Sequence, residues 1–352
     1  MYAVILAGGG GTRLRPLSTA DRPKPFLPLL GTETLFQRTV ARVCDLVDGD
    51  VTVVTDRRHA PLVRAQAPGV ALLEEPEGRN TAAAIALAAV GLNRPDDAVM
   101  AVLPADHVVA DEAGFREVLG LAGTELAAGA FGVAEPLVTL GIAPDRPATE
   151  YGWLVPDPDR GGTGPIAGRP LMRFEEKPAP DRAAALFATP GAAWNAGIFL
   201  WRRRAIRDAL AAFAPDVLDA VVGAHASGTL EATYPTIRSI SVDYAVMEPA
   251  AATGRVLMGR LAAGWNDLGT WTALLGALGA PGTGEVVEAG APIAAGPDDL
   301  VVVALGGRCH ARPGEGGSMT AEVPVAVLHG ARAGLPIVEA LLDRCAAEEI
   351  AP

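Results

Sequence analysis

The sequence predicts an α/β fold built on a mostly parallel, mixed sheet flanked by helices, and three observations predict it. Short apolar runs alternate with amphipathic stretches; the runs are of strand length and apolar on both faces; and 352 residues with 50% hydrophobic content can fill a large core. The pairs come in order: Ala3–Ala7 then Leu35–Val47, Val51–Thr55 then Thr81–Leu92, Val99–Leu103 then Phe115–Leu126. Each reads as a buried strand followed by a helix that covers it, which is the βαβ unit of a parallel sheet.

Beyond Phe115–Leu126 the pattern changes. From about Leu137 to Phe174 the chain is richer in Gly, Pro and Asp, with strand-like pieces at Leu137–Ile142 and Leu171–Phe174, and reads as an inserted or flanking subdomain for an acceptor. From about Ala277 the composition shifts to Gly, Pro and Ala, followed by strand-like Leu300–Leu305 and Val323–Leu328 and a last helix at Pro336–Ala346. This tail reads as a small, β-rich C-terminal module over residues 277–352, with 1–276 as the main domain. No internal repeat and no charge block interrupts the chain.

Bulk charge narrows the partners. A net charge of −12 without any long cationic stretch excludes a nucleic-acid or anionic-membrane surface, so an anionic substrate needs a local cationic pocket. Cys44, Cys309 and Cys345 are few, odd in number and lack metal-ligand spacing, which fits a reducing compartment with no disulfide and no zinc. No apolar run reaches the roughly 18 residues of a membrane span, and Tyr2–Ala7 has no basic segment before it. The expected location is cytoplasmic.

Strand Ala3–Ala7 runs directly into Gly8, Gly9, Gly10 and Gly11, then Thr12 and Arg13. Consecutive glycines leave backbone N–H groups free to face an anion, because no Cβ blocks its approach. Neither a Walker loop nor GxGxxG fits, so glycines alone leave a phosphate cradle and a flexible turn both open. Lysine usage is the sharper signal: only Lys24 and Lys177 are lysine among 29 basic residues, each beside a proline. A compact, rotatable ammonium suits a phosphate oxygen whose charge changes during reaction better than a planar guanidinium fork does. Chance retention on a solvated surface is the alternative.

The segment LAGGGGTRLRPLSTADRPKPFLPL resembles the GGxGTRLxPL…PK signature of the sugar-1-phosphate nucleotidyltransferases. Six further motifs follow in order: EPEGRNTAAAIALAA at Glu75–Ala89, LPADH at Leu103–His107, FEEKP at Phe174–Pro178, WNAGIFLW at Trp194–Trp201, SVDYAVME at Ser241–Glu248 and GWNDLGTW at Gly264–Trp271. Together they resemble the short, monofunctional mannose-1-phosphate guanylyltransferases over about Ala3 to Leu275. The resemblance implies a Rossmann-like fold of the nucleotide-diphospho-sugar transferase type, with a sugar-binding subdomain within about residues 137–250. It also implies attack by a sugar 1-phosphate on the α-phosphorus of GTP, expelling pyrophosphate. Positioning and cationic stabilisation do most of the work in such a transfer.

By that resemblance Leu6, Ala7, Gly8, Gly9, Gly10, Gly11 and Thr12 hold the nucleotide, Arg13 pairs with the departing pyrophosphate, and Lys24 neutralises the reacting phosphates. Arg79, Asn80 and Thr81 supply donors and acceptors for a guanine edge, with Asn80 also placed to cap the following helix. Lys177 holds the sugar phosphate, Glu176 accepts from sugar hydroxyls, and Asn195 and the backbone of Gly141 and Gly152 face the ring. Asp106 and Asp267 meet at one Mg²⁺ bridging the phosphates, the expected cofactor; for Asp267 the competing role is to cap a helix starting near Leu268. His107 is expected to pack or support rather than act as a base, since the attacking phosphate is already anionic. Asp243 is expected to orient the pocket, and Trp153, Trp194 and Trp201 to form core or pocket wall. The partners expected are GTP and a sugar 1-phosphate, with the C-terminal module a candidate homodimerisation element.

Three positions depart from the family pattern. Arg15 stands in place of Trp, Pro25 in place of Gln, and Pro249 in place of a basic residue after SVDYAVME. Arg15 and Pro25 keep open another hexose phosphate or a cyclitol phosphate as acceptor. A metal-dependent glycosyltransferase would call for an Asp-x-Asp pair, where Leu103–His107 carries one Asp. An inactive regulatory homologue would have no use for Arg13, Lys24, Asp106, Lys177 and Asp267 together.

Overall fold

The computed structural model describes residues 1–9, 14, 18–162, 166, 168–269, 273, 274 and 277, and the backbone of four short strands between 301 and 329. The chain divides into two compact units, one of residues 1–9 and 36–266, the other of residues 10–35 and 267–352.

In the first unit the alternation is present with one addition: the sequence pattern pairs Val51–Thr55 directly with the helix at Thr81–Leu92, and a short helix and a strand stand between them. Strand β1 (Tyr2–Leu6) is followed by helix α1 (Leu35–Cys44), β2 (Val51–Asp56) by α2 (Ala60–Gln66), and β3 (Ala71–Glu75) by α3 (Asn80–Gly91). Strand β4 (Val99–Pro104) and the two-residue β5 (Val108–Val109) precede α4 (Glu112–Ala128). Helix α4 is bounded as its sequence dictates: the Asp111 side chain accepts from the Gly114 amide at 2.9 Å, and Gly129, at φ +68°, closes the C-terminus.

The middle of the chain supplies β6 (Leu137–Ile142), β7 (Gly152–Pro156), β8 (Arg169–Glu176), α5 (Pro180–Phe187), β9 (Ala193–Arg202), α6 (Arg203–Phe213), α7 (Pro215–Ser227), α8 (Leu230–Thr233), α9 (Glu248–Ala251), β10 (Val256–Arg260) and β11 (Trp265–Asn266). Nine strands form one sheet in the order β3-β2-β1-β4-β9-β6-β10-β8-β7. The β3-β2-β1-β4 half is parallel, as βαβ units require, and β9 enters antiparallel to β4. Within the middle segment β6 and β10 run parallel, while β6–β9, β8–β10 and β7–β8 are antiparallel. The sheet is therefore mixed, with the continuous parallel run built by the N-terminal half and one further parallel pair, β6–β10, within the rest.

Burial explains why the first strands read as continuous apolar runs. Tyr2, Val4, Val54, Met100, Val102, Phe199 and Trp201 belong to one buried cluster that includes residues of α3, α6 and α7. Strand alternation leaves Ala3, Ile5, Val53 and Ala101 for the opposite face, where α4 packs on β4 and β9. Helix α3 is buried on nearly every side from Ala82 to Ala89, and its alanines let it lie close to the sheet. Among the described residues no single helix is long and apolar enough to cross a membrane.

In the second unit, the lysine of RPKPF lies in a buried 3₁₀ turn, Lys24–Phe26, entered through Pro23 at φ −72°. Toward the C-terminus the described backbone forms a four-stranded antiparallel sheet, β14 (Glu315–Ser318), β13 (Cys309–Arg312), β12 (Val301–Ala304) and β15 (Leu328–His329) in that order. The strand expected at Val323–Leu328 falls on described residues only at Leu328, and the last helix expected at Pro336–Ala346 lies outside them.

Candidate active site

Strand order locates the site. Strands β2 and β3 lie on one side of β1 and β4 on the other, so the chain reverses direction across the sheet between β1 and β4. In an open α/β sheet, the crevice at the carboxyl ends of strands at such a switch point is where ligands bind. Leu6, Ala7, Gly8 and Gly9 leave β1 there, and Asp106 follows β4. The two loops are tied together by the Ala105 amide, which donates to the Leu6 carbonyl at 3.1 Å. Ala7 is pinned from the other side: its amide donates to Val54, and its carbonyl accepts from the Thr55 hydroxyl at 2.7 Å. Gly9 has φ +109°, a conformation that an L side chain rarely adopts. Gly10, Gly11, Thr12 and Arg13, expected to continue this loop, lie outside the described residues, as does Arg15.

Under this loop lies the carboxyl group of Glu75, which heads the Glu75–Thr81 segment expected to carry base choice but has no expected role of its own. Glu75 ends β3 and is 4% exposed; its Oε1 accepts from the Tyr234 hydroxyl at 2.8 Å, and its Oε2 lies 3.9 Å from where a side chain on Gly8 would begin. Burial raises its pKa from 4.5 to about 7, against hydrogen bonds from Tyr234 and the Arg79 amide. Next to it Asp56 ends β2. Burial pushes Asp56 up, but the Arg58 side chain and the Arg58 and Gly78 amides outweigh it and hold the group at about 2. Sequence placed Glu75 at the head of a motif, but Tyr234 lies 159 residues away and carried no signal.

The three residues expected to read the base are engaged by the protein itself. Arg79 donates to the Pro235 carbonyl and lies 3.4 Å from Glu77. Thr81 accepts from the Val242 amide at 2.8 Å, tying the start of α3 to the SVDYAVME segment. Asn80 is exposed, and it differs from the cap expected of it. Arg79 occupies the cap position with no side-chain bond, while Asn80 sits at φ +67° with its own side chain accepting from the Thr81 amide at 2.8 Å. The left-handed conformation, which Asn tolerates better than most residues, takes it out of capping geometry.

Asp106 has a side chain 31% exposed, with Oδ1 3.8 Å from His107 Nε2. The other ring nitrogen of His107, Nδ1, accepts from the Trp265 indole at 3.1 Å, and the two rings meet edge to face at 5.1 Å. A donor on Nδ1 fixes the tautomer with hydrogen on Nε2, on the side of Asp106. His107 thus packs on Trp265 and faces Asp106. In the second unit Lys24, 7% exposed, donates to the Asp267 carbonyl. Asp267 does not start a helix: Leu268 and Gly269 are non-helical, and its Oδ1 accepts from the Gly269 amide at 3.1 Å. Leu268 stands at φ +44°, a strained conformation for a branched residue; such strain collects at functional sites.

A second group of expected residues gathers at the ends of β7, β8 and β9. Glu176 pairs with Gly152 in the β7–β8 ladder, and a Cβ on Gly152 would fall 2.5 Å from Glu176 Oε2, so only glycine leaves that carboxylate its place. Lys177 pairs with Glu176 and takes φ +47°, held by its amide on the Tyr151 carbonyl at 3.2 Å. The Glu176 amide donates to Glu248 at 2.6 Å, and its carbonyl accepts from the Tyr244 hydroxyl at 3.3 Å. Asp243 opens a short π-helix, Asp243–Met247, and its Oδ1 accepts from Asn195 Nδ2 at 2.9 Å. Burial and the neighbouring Glu176 raise the Asp243 pKa, while Lys177 and Asn195 act to lower it.

Two residues of this group are also engaged by the protein itself. At Gly141 the space of a side chain is filled by Met258 and Ala193, with Met258 Sδ 2.7 Å from a would-be Cβ, so sheet packing demands that glycine. Asn195 is 8% exposed and spends most of its hydrogen bonds on Thr139, Gly197 and Asp243. Trp153, Trp194 and Trp201 are buried, as expected of core or wall. Among the described residues no three His, Cys, Asp or Glu side chains cluster as a metal cage. A carboxylate such as Asp106 suits Mg²⁺, which takes one or two of them and completes its shell with water and phosphate oxygens.

Residues 2–280 match the nucleotidyl transferase family model. Among curated relatives, the xanthan biosynthesis protein XanB of Xanthomonas campestris pv. campestris (strain B100) is 38% identical over 77% of this chain and 58% of its own. A mannose-1-phosphate guanylyltransferase of Sinorhizobium fredii (strain NBRC 101917 / NGR234) is 40% identical over 77% of this chain and 53% of its own. The chain thus spans little more than half the length of these relatives. A crystal structure from Thermus thermophilus, named a mannose-1-phosphate geranyltransferase, superposes with a TM-score of 0.73 at 29% identity, covering 99% of this chain and 98% of that one.

Proposed function

The chain belongs to the nucleotidyl transferase family, and we propose that it transfers GMP from GTP to a sugar 1-phosphate, α-D-mannose 1-phosphate first among them, releasing pyrophosphate. The observation that carries this reading is the grouping of Glu176, Lys177, Asn195 and Asp243 in the same unit as the β1 and β4 loops at the switch point. A hydroxylated ring that also carries a phosphate calls for a carboxylate acceptor next to a cation, which Glu176 and Lys177 provide. The names of the curated relatives support mannose as the sugar.

The chemistry requires little covalent help. Gly8 and Gly9 would present backbone N–H groups to the triphosphate, Arg13 would pair with the leaving pyrophosphate, and Lys24 would offset charge on the reacting phosphates. Lys177 would hold the acceptor phosphate, while Glu176 fixes the ring so that its phosphate oxygen faces the α-phosphorus in line. Arg79, Asn80 and Thr81 are proposed to shape the base site chiefly through backbone and packing, given the partners their side chains already have. Asp106 and Asp267 are each proposed as ligands of Mg²⁺, which would neutralise phosphate charge. The substrates are proposed to be met in the cytoplasm.

The test is a matrix of nucleoside triphosphates against sugar 1-phosphates and cyclitol phosphates with Mg²⁺, read by pyrophosphate release. Signal with GTP and mannose 1-phosphate well above every other pair is the expected result. Preference for a different acceptor reassigns the sugar, and no pyrophosphate from any pair sinks the reading.

A further inference from the structure

Strand β9 does not run evenly along β6. Thr139 pairs with Phe199 and Gly141 with Asn195, so two steps along β6 match four along β9, and the surplus forms a bulge at Ala196–Ile198. Gly197, at the crown, has φ +66°. Bulges of this kind re-aim side chains next to functional sites. Here the bulge brings the Asn195 amide against the hydroxyl of Thr139, a fully buried polar residue in an otherwise apolar strand.

The hydrogen bonds determine which way that amide faces. The Gly197 N–H can only donate, and it points at one atom of the Asn195 side chain at 3.1 Å; that atom must be Oδ1. The Thr139 hydroxyl lies 2.7 Å from the same oxygen and 3.4 Å from the Ile198 carbonyl, and its single hydrogen goes to the nearer acceptor. With Oδ1 accepting two hydrogens, Nδ2 is left to donate to Asp243 at 2.9 Å.

We propose that Thr139 is a positioning residue for the sugar 1-phosphate: its hydroxyl, with the bulge at Gly197, locks the Asn195 amide in the orientation that holds the Asp243 carboxylate beside Glu176 and Lys177. The proposal rests on the sugar-phosphate reading of that group. Thr139 touches no reacting atom; it acts through Asn195, and Asn195 through Asp243. Without the hydroxyl, Gly197 alone opposes rotation of the amide, and a rotated amide would set an oxygen against the Asp243 carboxylate.

The experiment replaces Thr139 by Val, which keeps the shape and removes the hydroxyl, and by Ser, which keeps the hydroxyl. Thr139→Val is expected to raise KM and the calorimetric Kd for mannose 1-phosphate about tenfold, the scale of a lost hydrogen bond to a charged group, without a matching rise in KM for GTP. Thr139→Ser is expected to restore both values to within about twofold. Should the valine variant fold poorly, Thr139→Ala removes the same hydroxyl without added strain and carries the same expectations. An unchanged mannose 1-phosphate affinity in the hydroxyl-free variant, or a serine variant as impaired as valine, overturns the proposal. A second reading needs no turnover and separates this proposal from the reaction assigned above: the ¹³C carboxyl titration of Asp243 in ligand-free protein, identified by its loss in Asp243→Asn. Loss of the Asn195 donor is expected to move its midpoint upward by about half a unit, and an unmoved midpoint overturns the proposal even if the wild type releases no pyrophosphate.

Discussion

Tyr234 donates its hydroxyl hydrogen to Oε1 of Glu75 across 2.8 Å, joining the short helical segment before SVDYAVME to the end of β3 directly beneath Gly8. Both residues are buried, so the pair places an acid with a pKa near neutrality under the Gly8 loop.

That placement gives stability a pH dependence with a definite sign. Below pH 4.5 Glu75 is protonated in folded and unfolded chains alike and costs nothing. Between 4.5 and about 7 the unfolded chain releases the proton while the fold retains it, so this group's contribution turns against folding as pH rises. The full difference is about 3 kcal/mol at 1.36 kcal/mol per pH unit. Glu75→Gln keeps an acceptor for Tyr234 and does not ionise. Its stability relative to wild type, from urea unfolding at pH 5 and pH 8, is expected to increase by up to about that amount; a constant gap would place the Glu75 titration outside this window.

Gly152→Ala is expected to displace the Glu176 carboxylate, because the added Cβ would fall 2.5 Å from Oε2. A rise of about tenfold or more in KM for the sugar 1-phosphate, with KM for GTP little changed, is the expected signature in steady-state kinetics. Equal changes in both constants would point to a general distortion instead.

Asp106→Asn and Asp267→Asn are each expected to lower Mg²⁺-dependent turnover by about a hundredfold or more while the thermal midpoint stays within a few degrees of wild type. A Mg²⁺ titration of kcat with each variant checks this. Wild-type rates in either variant would remove that carboxylate from the metal site.

Lys24→Arg is expected to lose at least about tenfold in kcat although the charge is kept. Lys24 belongs to a buried 3₁₀ turn with its Nζ on the Asp267 carbonyl, and a guanidinium is longer and forked where the ammonium is compact. An unchanged kcat would show that charge alone matters there.

Much of the fold was legible because burial leaves a period in the sequence. β1, β2 and β4 are covered on both faces and read as continuous apolar runs; Leu137–Ile142 was placed to the residue, and α3 began one residue earlier than expected. The candidate site was legible in part, since Gly8, Lys24, Asp106, Lys177 and Asp267 sit in motifs whose chemistry survives as residue type. The partners of Arg79 and Asn195 were not legible. Arg79 ends on Pro235, 156 residues away, and Asn195 on Thr139, 56 residues away, and neither pairing has any local signature.

The sequence by itself determined the class of fold, the family-level chemistry and the residues that carry charge, because hydrophobic period and residue type are local properties. Tertiary structure alone decided which groups are spent on holding others. The mixed second half of the sheet, the bulge at Gly197, the Tyr234–Glu75 pair and the Thr139–Asn195–Asp243 chain all arise from strand order and register. Those depend on how distant segments satisfy one another's buried polar groups, which no local stretch of sequence encodes.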